Sequence, residues 1–106
     1  MNWVFLGIAG LLEIAWAIGL KYTEGWSKLV PSLITAVLMI ASFYFLSLAL
    51  RTLPIGTAYA VWTGIGTVGA AIIGMYVFGE PRDAVRVVCI LLIIAGIAGL
   101  KITSAS

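Results

Sequence analysis

Residues 1–20 read MNWVFLGIAGLLEIAWAIGL, an apolar run in which Glu13 is the only formally charged side chain. A stretch of about 20 mostly apolar residues is long enough to cross a bilayer as a helix that rises 1.5 Å per residue. A carboxylate at the centre of such a helix costs roughly 2.5–3.5 kcal/mol on insertion scales, so it is generally kept for proton or ion binding. The run therefore predicts a membrane span that carries a functional acid.

The rest of the chain has the same character. Its 106 residues are 63% hydrophobic and 9% charged, with a mean hydropathy of +1.21, and this composition excludes an ordinary soluble domain. Short segments of glycine, proline and charged residues interrupt the apolar runs, as is typical of turns. We predict an all-α integral membrane protein that forms a single transmembrane domain over residues 1–106, with spans at about 3–21, 29–50, 55–78 and 85–103.

Several function classes are excluded by what the sequence lacks. The net charge of +2 is spread over ten charged residues, so no basic patch indicates a nucleic-acid partner. There is no histidine, and Cys89 is the only cysteine, so neither a metal cluster nor a Ser-His-Asp triad can be assembled. We expect no enzyme activity, no metal and no cofactor, and we interpret Cys89 as a small packing residue.

Residues 64–69 read GIGTVG and match the G-x-G-x-x-G dinucleotide fingerprint. That fingerprint requires a preceding strand and a soluble crevice, whereas this segment lies inside the third predicted span. Glycines in a membrane helix instead allow close packing, or a bend in which the freed backbone groups find new partners. We therefore predict a flexible or kinked third span.

Helical periodicity predicts one polar and aromatic face on each of the first three spans. Residues spaced by 100° per position share a face when they are three or four apart, and such faces can converge on a common chamber. As alternatives, the hydroxyl of Ser42 could bond the carbonyl four residues earlier in its own helix, and the aromatic side chains could be interface anchors. The residues on these faces are Glu13 and Trp16 on the first span, Ser42 on the second, and Tyr59, Trp62, Thr63 and Gly66 on the third.

The fourth span has a stripe of small apolar residues and no polar residue at mid-depth. Small residues let two membrane helices approach closely, so this stripe is predicted to be a subunit interface, with ordinary packing inside one subunit as the alternative. Its central members are Ala95, Gly96 and Gly99.

The residue types around Glu13 suggest which ligand it binds. A single buried carboxylate can bind a proton or a cation but not both usefully at once, and this exclusion couples the movement of one to the other. Guanidinium is planar and weakly hydrated, donates parallel hydrogen bonds to a carboxylate, and stacks on an indole. The predicted chamber offers each of these contacts.

Three segments carry a resemblance to a known family: residues 10–17 (GLLEIAWA), 21–25 (KYTEG) and 53–66 (LPIGTAYAVWTGIG). On these motifs the chain resembles the small multidrug resistance transporters over essentially its whole length, and most closely their guanidinium-exporter subtype. The resemblance implies a proton-coupled antiporter of the bacterial inner membrane that works as an antiparallel, dual-topology homodimer, in which two copies of Glu13 share one central site.

The resemblance also implies roles for individual residues. Ser42, Tyr59 and Trp62 line or order the site, and Gly64 and Gly66 mark a bend of the third helix. The segment from Ala95 and Gly96 to Gly99 packs the dimer. Trp16 and Lys101 stand where the multidrug branch usually carries a small residue and asparagine, which favours guanidinium as substrate.

Other functions remain open on the sequence. A multidrug exporter of quaternary ammonium and aromatic cations would use the same machinery. A small dual-topology ion channel, or a membrane subunit that does not transport on its own, would also be short and apolar. Four lysines and arginines lie on the side of the membrane that holds the loops after the first and third spans, and two lie on the other side. This difference is a weak orientation signal and allows insertion in both orientations.

Overall fold

The computed structural model describes residues 2–103, which form four α-helices. Each helix is long and apolar enough to cross a membrane, which confirms the predicted all-α architecture with four spans. In chain order they are α1 (Asn2–Tyr22), α2 (Leu29–Ala49), α3 (Ile55–Val77) and α4 (Ala84–Thr103).

The turn between α1 and α2 is organised by Thr23, whose side chain is buried. Its hydroxyl donates to the carbonyl of Leu20 at 2.7 Å and accepts from the amide of Trp26 at 3.2 Å. Glu24 and Trp26 have φ angles of 47° and 68°, in the left-handed region that costs a residue with a Cβ about 1–2 kcal/mol. The buried threonine therefore holds a tight turn that brings α2 back alongside α1.

The turn between α3 and α4 is closed by charged side chains. The carbonyl of Gly74 accepts from the amides of Phe78 and Glu80, both at 3.1 Å. The guanidinium of Arg86 donates to the carboxylate of Glu80 at 3.3 Å. Asp83 accepts from the amide of Arg86 at 3.3 Å, which satisfies one free donor in the first turn of α4. These polar contacts join the last turn of α3 to the first turn of α4.

Helix α1 is the centre of the packing. It lies against both α2 and α3, while α2 and α3 approach each other much less and the backbone of α4 approaches only α3. The extents of 43 × 35 × 17 Å describe a slab, since a helix with its side chains is about 10–12 Å across. The helices therefore form an open layer and not a closed bundle. Its core comprises Leu6, Ala9, Leu46, Ala49, Leu53, Ala58, Val61 and Trp62.

Helix α4 is the least covered of the four. None of its described residues is buried, and large apolar side chains such as Val88, Leu91 and Leu92 are exposed. Small residues predicted to form an interface lie on this open helix. One long side chain from its end reaches back to α1, where the Nζ of Lys101 lies 5.0 Å from the centre of the Trp3 ring.

Candidate functional site

Glu13 lies in the middle of α1 and faces Gly66 of α3. A Cβ added at Gly66 would fall on the carboxyl group of Glu13, so the glycine leaves the space that the carboxyl group occupies. One carboxyl oxygen, Oε1, is buried and has no hydrogen-bond partner among residues 2–103. Since a buried polar atom is normally satisfied, this oxygen is an acceptor available to a ligand.

Ser42 connects the three helices around this acid. Its hydroxyl is fully buried, donates to the carbonyl of Ala9 in α1 at 2.8 Å, and accepts from the indole Nε1 of Trp62 in α3 at 3.1 Å. The alternative that Ser42 bonds its own helix is therefore wrong. In an α-helix the carbonyl of residue 9 is also the acceptor for the amide of residue 13, so Ser42 binds the turn of α1 that carries Glu13.

Aromatic rings form a continuous row that begins at Trp16, three residues along α1 from Glu13. Ring centres of Trp16 and Phe43 are 6.2 Å apart, those of Phe43 and Trp62 are 5.7 Å apart, and those of Trp62 and Tyr59 are 5.5 Å apart, all distances at which rings interact. Trp62 is buried, whereas Tyr59 and Phe43 are 57% and 45% exposed. The buried Trp62 ring therefore lies between two rings that reach the open surface of the layer.

Phe43 is the member of this row that sequence reasoning missed. It follows Ser42 directly and so lies about 100° around the helix from it, off the stripe chosen by periodicity. It also belongs to the consecutive aromatic residues 43–45, and no local signal singles it out from the other two.

The other predicted site residues lie away from Glu13 or on open surfaces. Thr63 is exposed, and a Cβ at Gly64 would come within 2.8 Å of Ile97 in α4, so Gly64 is packed against the fourth helix. A Cβ added at Gly96 or Gly99 would meet nothing within 4 Å, and Ala95 is exposed as well. The structure thus brings Glu13, Trp16, Ser42, Tyr59, Trp62 and Gly66 together around the junction of α1, α2 and α3.

The charges around the site suit a cationic ligand. Within the described part of the chain, the ion pairs are Lys28 with Glu24 and Arg86 with Glu80, so Glu13 has no basic partner. Residues 2–103 contain no group of three or more potential metal-ligating side chains. An unpaired acceptor beside aromatic faces favours an organic cation that donates hydrogen bonds and stacks.

The fold and the site define a small, multi-pass integral membrane protein with an acid in the middle of one span, whose buried carboxyl oxygen has no hydrogen-bond partner among residues 2–103. The chain belongs to the small multidrug resistance family: the family profile described as "Small Multidrug Resistance protein" matches residues 1–93.

Similar proteins come from enterobacteria and related species. A relative from Citrobacter freundii is 59% identical over 104 residues, which are 98% of this chain and 99% of the relative. One from Yersinia pseudotuberculosis is 57% identical over 98% of this chain and 100% of its own length, and one from Salmonella typhimurium is 56% identical over 98% and 99%. Each is named "Guanidinium exporter". The family and these sources assign the chain to the bacterial inner membrane.

Proposed function

We propose that this protein is a proton-coupled antiporter that exports guanidinium and small substituted guanidinium cations. The observation that carries the proposal is the buried, unpartnered Oε1 of Glu13 at the junction of three helices. The names of relatives that are 56–59% identical over nearly the whole chain support guanidinium as the substrate. The protein then acts as a transporter and not as an enzyme.

The proposed exchange follows from competition for one carboxyl group. A guanidinium ion donates two parallel hydrogen bonds to a carboxylate, and a proton on Glu13 removes that acceptor pair. The aromatic row of Trp16, Phe43, Trp62 and Tyr59 offers stacking surface for the planar ion. Each state of Glu13, protonated or cation-bound, is neutral, and neutrality lowers the cost of carrying the acid through the membrane.

The proposal requires a second copy of the chain. A slab 17 Å thick does not enclose a cation, and the site opens on one side through exposed rings. We propose an antiparallel homodimer of single-domain protomers, in which the stripe of Ala95, Gly96 and Gly99 on α4 packs the subunits and two copies of Glu13 meet. The weak lysine and arginine bias is compatible with insertion in both orientations. In this dimer Thr63 is proposed to line the site, and Gly64 and Gly66 to allow α3 to bend.

The test is uptake of labelled guanidinium into proteoliposomes with an imposed pH gradient. Wild-type protein is expected to transport, and Glu13→Gln is expected to abolish gradient-driven uptake because the amide neither titrates nor carries charge. Glu24→Gln is the matched control, since Glu24 lies in the exposed α1–α2 turn and its variant should transport normally. Unchanged transport by Glu13→Gln would refute the site.

The second candidate is a multidrug exporter with the same machinery, which the family description "Small Multidrug Resistance protein" favours. A panel of guanidinium, methylguanidinium and bulky quaternary ammonium ions in the same liposomes separates the two. Preference for the bulky cations, with guanidinium ignored, would establish this second candidate. Current without coupled proton movement would indicate a channel.

A further inference from the structure

A groove lies between the first turn of α1 and the last turn of α2, at the end of the protein opposite to the α1–α2 turn. It has a volume of about 400 Å³ and is lined by Asn2, Phe5, Leu48, Arg51 and Thr52. This groove is separate from the Glu13 site, because it shares none of the residues gathered there.

Local structure explains why these side chains share one surface. Asn2 and Phe5 are three residues apart on α1 and so lie on one face. On the other side, the amides of Arg51 and Thr52 donate to the carbonyls of Leu48 and Ala49 at 3.3 and 3.4 Å. These three-residue spacings continue α2 as a tighter 3₁₀-type turn, in which residues three apart are eclipsed. Arg51 therefore stays above Leu48.

The groove combines a polar rim with an apolar floor. Asn2, Arg51 and Thr52 supply an amide, a guanidinium and a hydroxyl, all of which donate hydrogen bonds. Phe5 and Leu48 supply apolar surface, and the Phe5 ring is held by that of Phe45 at 6.2 Å between centres. Such a site fits a ligand that is anionic at one end and apolar at the other.

No acidic side chain of residues 2–103 lies at the end of the protein that carries Arg51. The four acidic side chains of the chain are Glu13 in the middle of α1 and Glu24, Glu80 and Asp83 at the opposite end. Among residues 2–103, Arg51 forms no ion pair. A second cation at this end, Lys101 near the end of α4, adds positive charge. Within the part of the chain that the structure describes, this arrangement therefore leaves the Arg51 guanidinium without an anionic partner.

We propose that the groove binds the headgroup of an anionic phospholipid. The guanidinium of Arg51 holds the phosphate by paired hydrogen bonds, Thr52 and Asn2 donate to further oxygens, and Phe5 with Leu48 contacts the glycerol and the first acyl carbons. The groove lies where the apolar part of α2 ends, which is the depth of the headgroups. A free phosphate would gain nothing from the apolar floor.

The experiment is native mass spectrometry of the purified protein with equal amounts of phosphatidylglycerol and phosphatidylcholine. Wild-type protein is expected to retain phosphatidylglycerol preferentially. Arg51→Gln should lower that retention about five-fold, as expected for loss of one basic residue at a membrane surface, without changing the retention of phosphatidylcholine. Leu48→Trp fills the floor but keeps the charge, and it should also reduce the preference.

The matched control is Lys28→Gln, which makes the same change of charge at the opposite end, where Lys28 is paired with Glu24 at 3.4 Å. This variant should retain phosphatidylglycerol as wild type does. Equal retention by wild type, Arg51→Gln and Leu48→Trp would overturn the proposal, and so would an equal loss in Lys28→Gln. Displacement of the lipid by millimolar inorganic phosphate would show a free-anion site and would overturn the lipid assignment.

Discussion

The carboxyl group of Glu13 depends on the absence of a side chain at position 66. Because a Cβ at Gly66 would fall on that group, Gly66→Ala must displace it from its place between α1 and α3. We expect guanidinium affinity to fall about ten-fold or more, a change that corresponds to about 1.4 kcal/mol. Isothermal titration calorimetry of the purified protein measures it.

Gly7→Ala is the matched control, since a Cβ at Gly7 meets nothing within 4 Å. Both variants gain helix propensity by the same replacement, so only the contact with Glu13 distinguishes them. Equal affinities for guanidinium in both variants would contradict the proposed position of the acid.

The hydroxyl of Ser42 is a second determinant at the scale of single residues. Ser42→Ala leaves the indole Nε1 of Trp62 buried without its acceptor, and an unsatisfied buried donor costs about 1–3 kcal/mol. We expect a loss of that size in the free energy of unfolding, measured by denaturation in mixed micelles. Ser47→Ala should cost little, because the Ser47 hydroxyl is exposed and bonds the Tyr44 carbonyl in its own helix.

A double-mutant cycle separates this bond from general packing. Trp62→Phe removes the donor, so Ser42→Ala made in that background should cost less than it does in wild type. Strictly additive losses would mean that the bond between Ser42 and Trp62 contributes nothing.

At the scale of elements, α3 and α4 meet where Gly64 lies against Ile97. A Cβ at position 64 would come within 2.8 Å of Ile97 Cδ1, closer than two carbon atoms pack without strain. Gly64→Ala is therefore expected to destabilise the protein by about 1–3 kcal/mol through overpacking. Thermal denaturation in detergent measures this loss.

Ile97→Ala tests the cause of that effect. If crowding is responsible, adding Gly64→Ala to the Ile97→Ala background should cost much less than it does alone, because the colliding methyl groups are gone. If instead a bend of α3 requires glycine at position 64, transport should stay impaired in the double variant although its stability recovers. The two roles of Gly64 are thus separable.

At the scale of the whole molecule, the uncovered face of α4 is the feature that the proposed dimer must explain. Gly96 lies on that face with open space around it, so Gly96→Leu should leave the protomer folded and weaken association of two copies by steric conflict. Chemical crosslinking in liposomes is expected to show fewer dimers. Gly56→Leu, at another open glycine, should crosslink as wild type does. Undiminished dimers of Gly96→Leu would place the interface elsewhere.

The sequence by itself determined the four spans and the membrane location, and it singled out Glu13 as the candidate acid. Hydropathy is summed over windows of about 20 neighbouring residues, and a lone charge such as Glu13 within such a window is visible without any knowledge of packing. Periodicity also selected Trp16, Ser42, Tyr59 and Trp62, because residues on one helical face stay together in any arrangement of helices.

Only the tertiary structure decided which atoms meet. The bond from Ser42 to the carbonyl of Ala9, the entry of Phe43 into the aromatic row and the packing of Gly64 on Ile97 each depend on how one helix is rotated and shifted against another. Periodicity defines the faces of a single helix, whereas rotation and shift are set by how the side chains of two helices fit together. The contacts of the site therefore appeared only once the helices were packed.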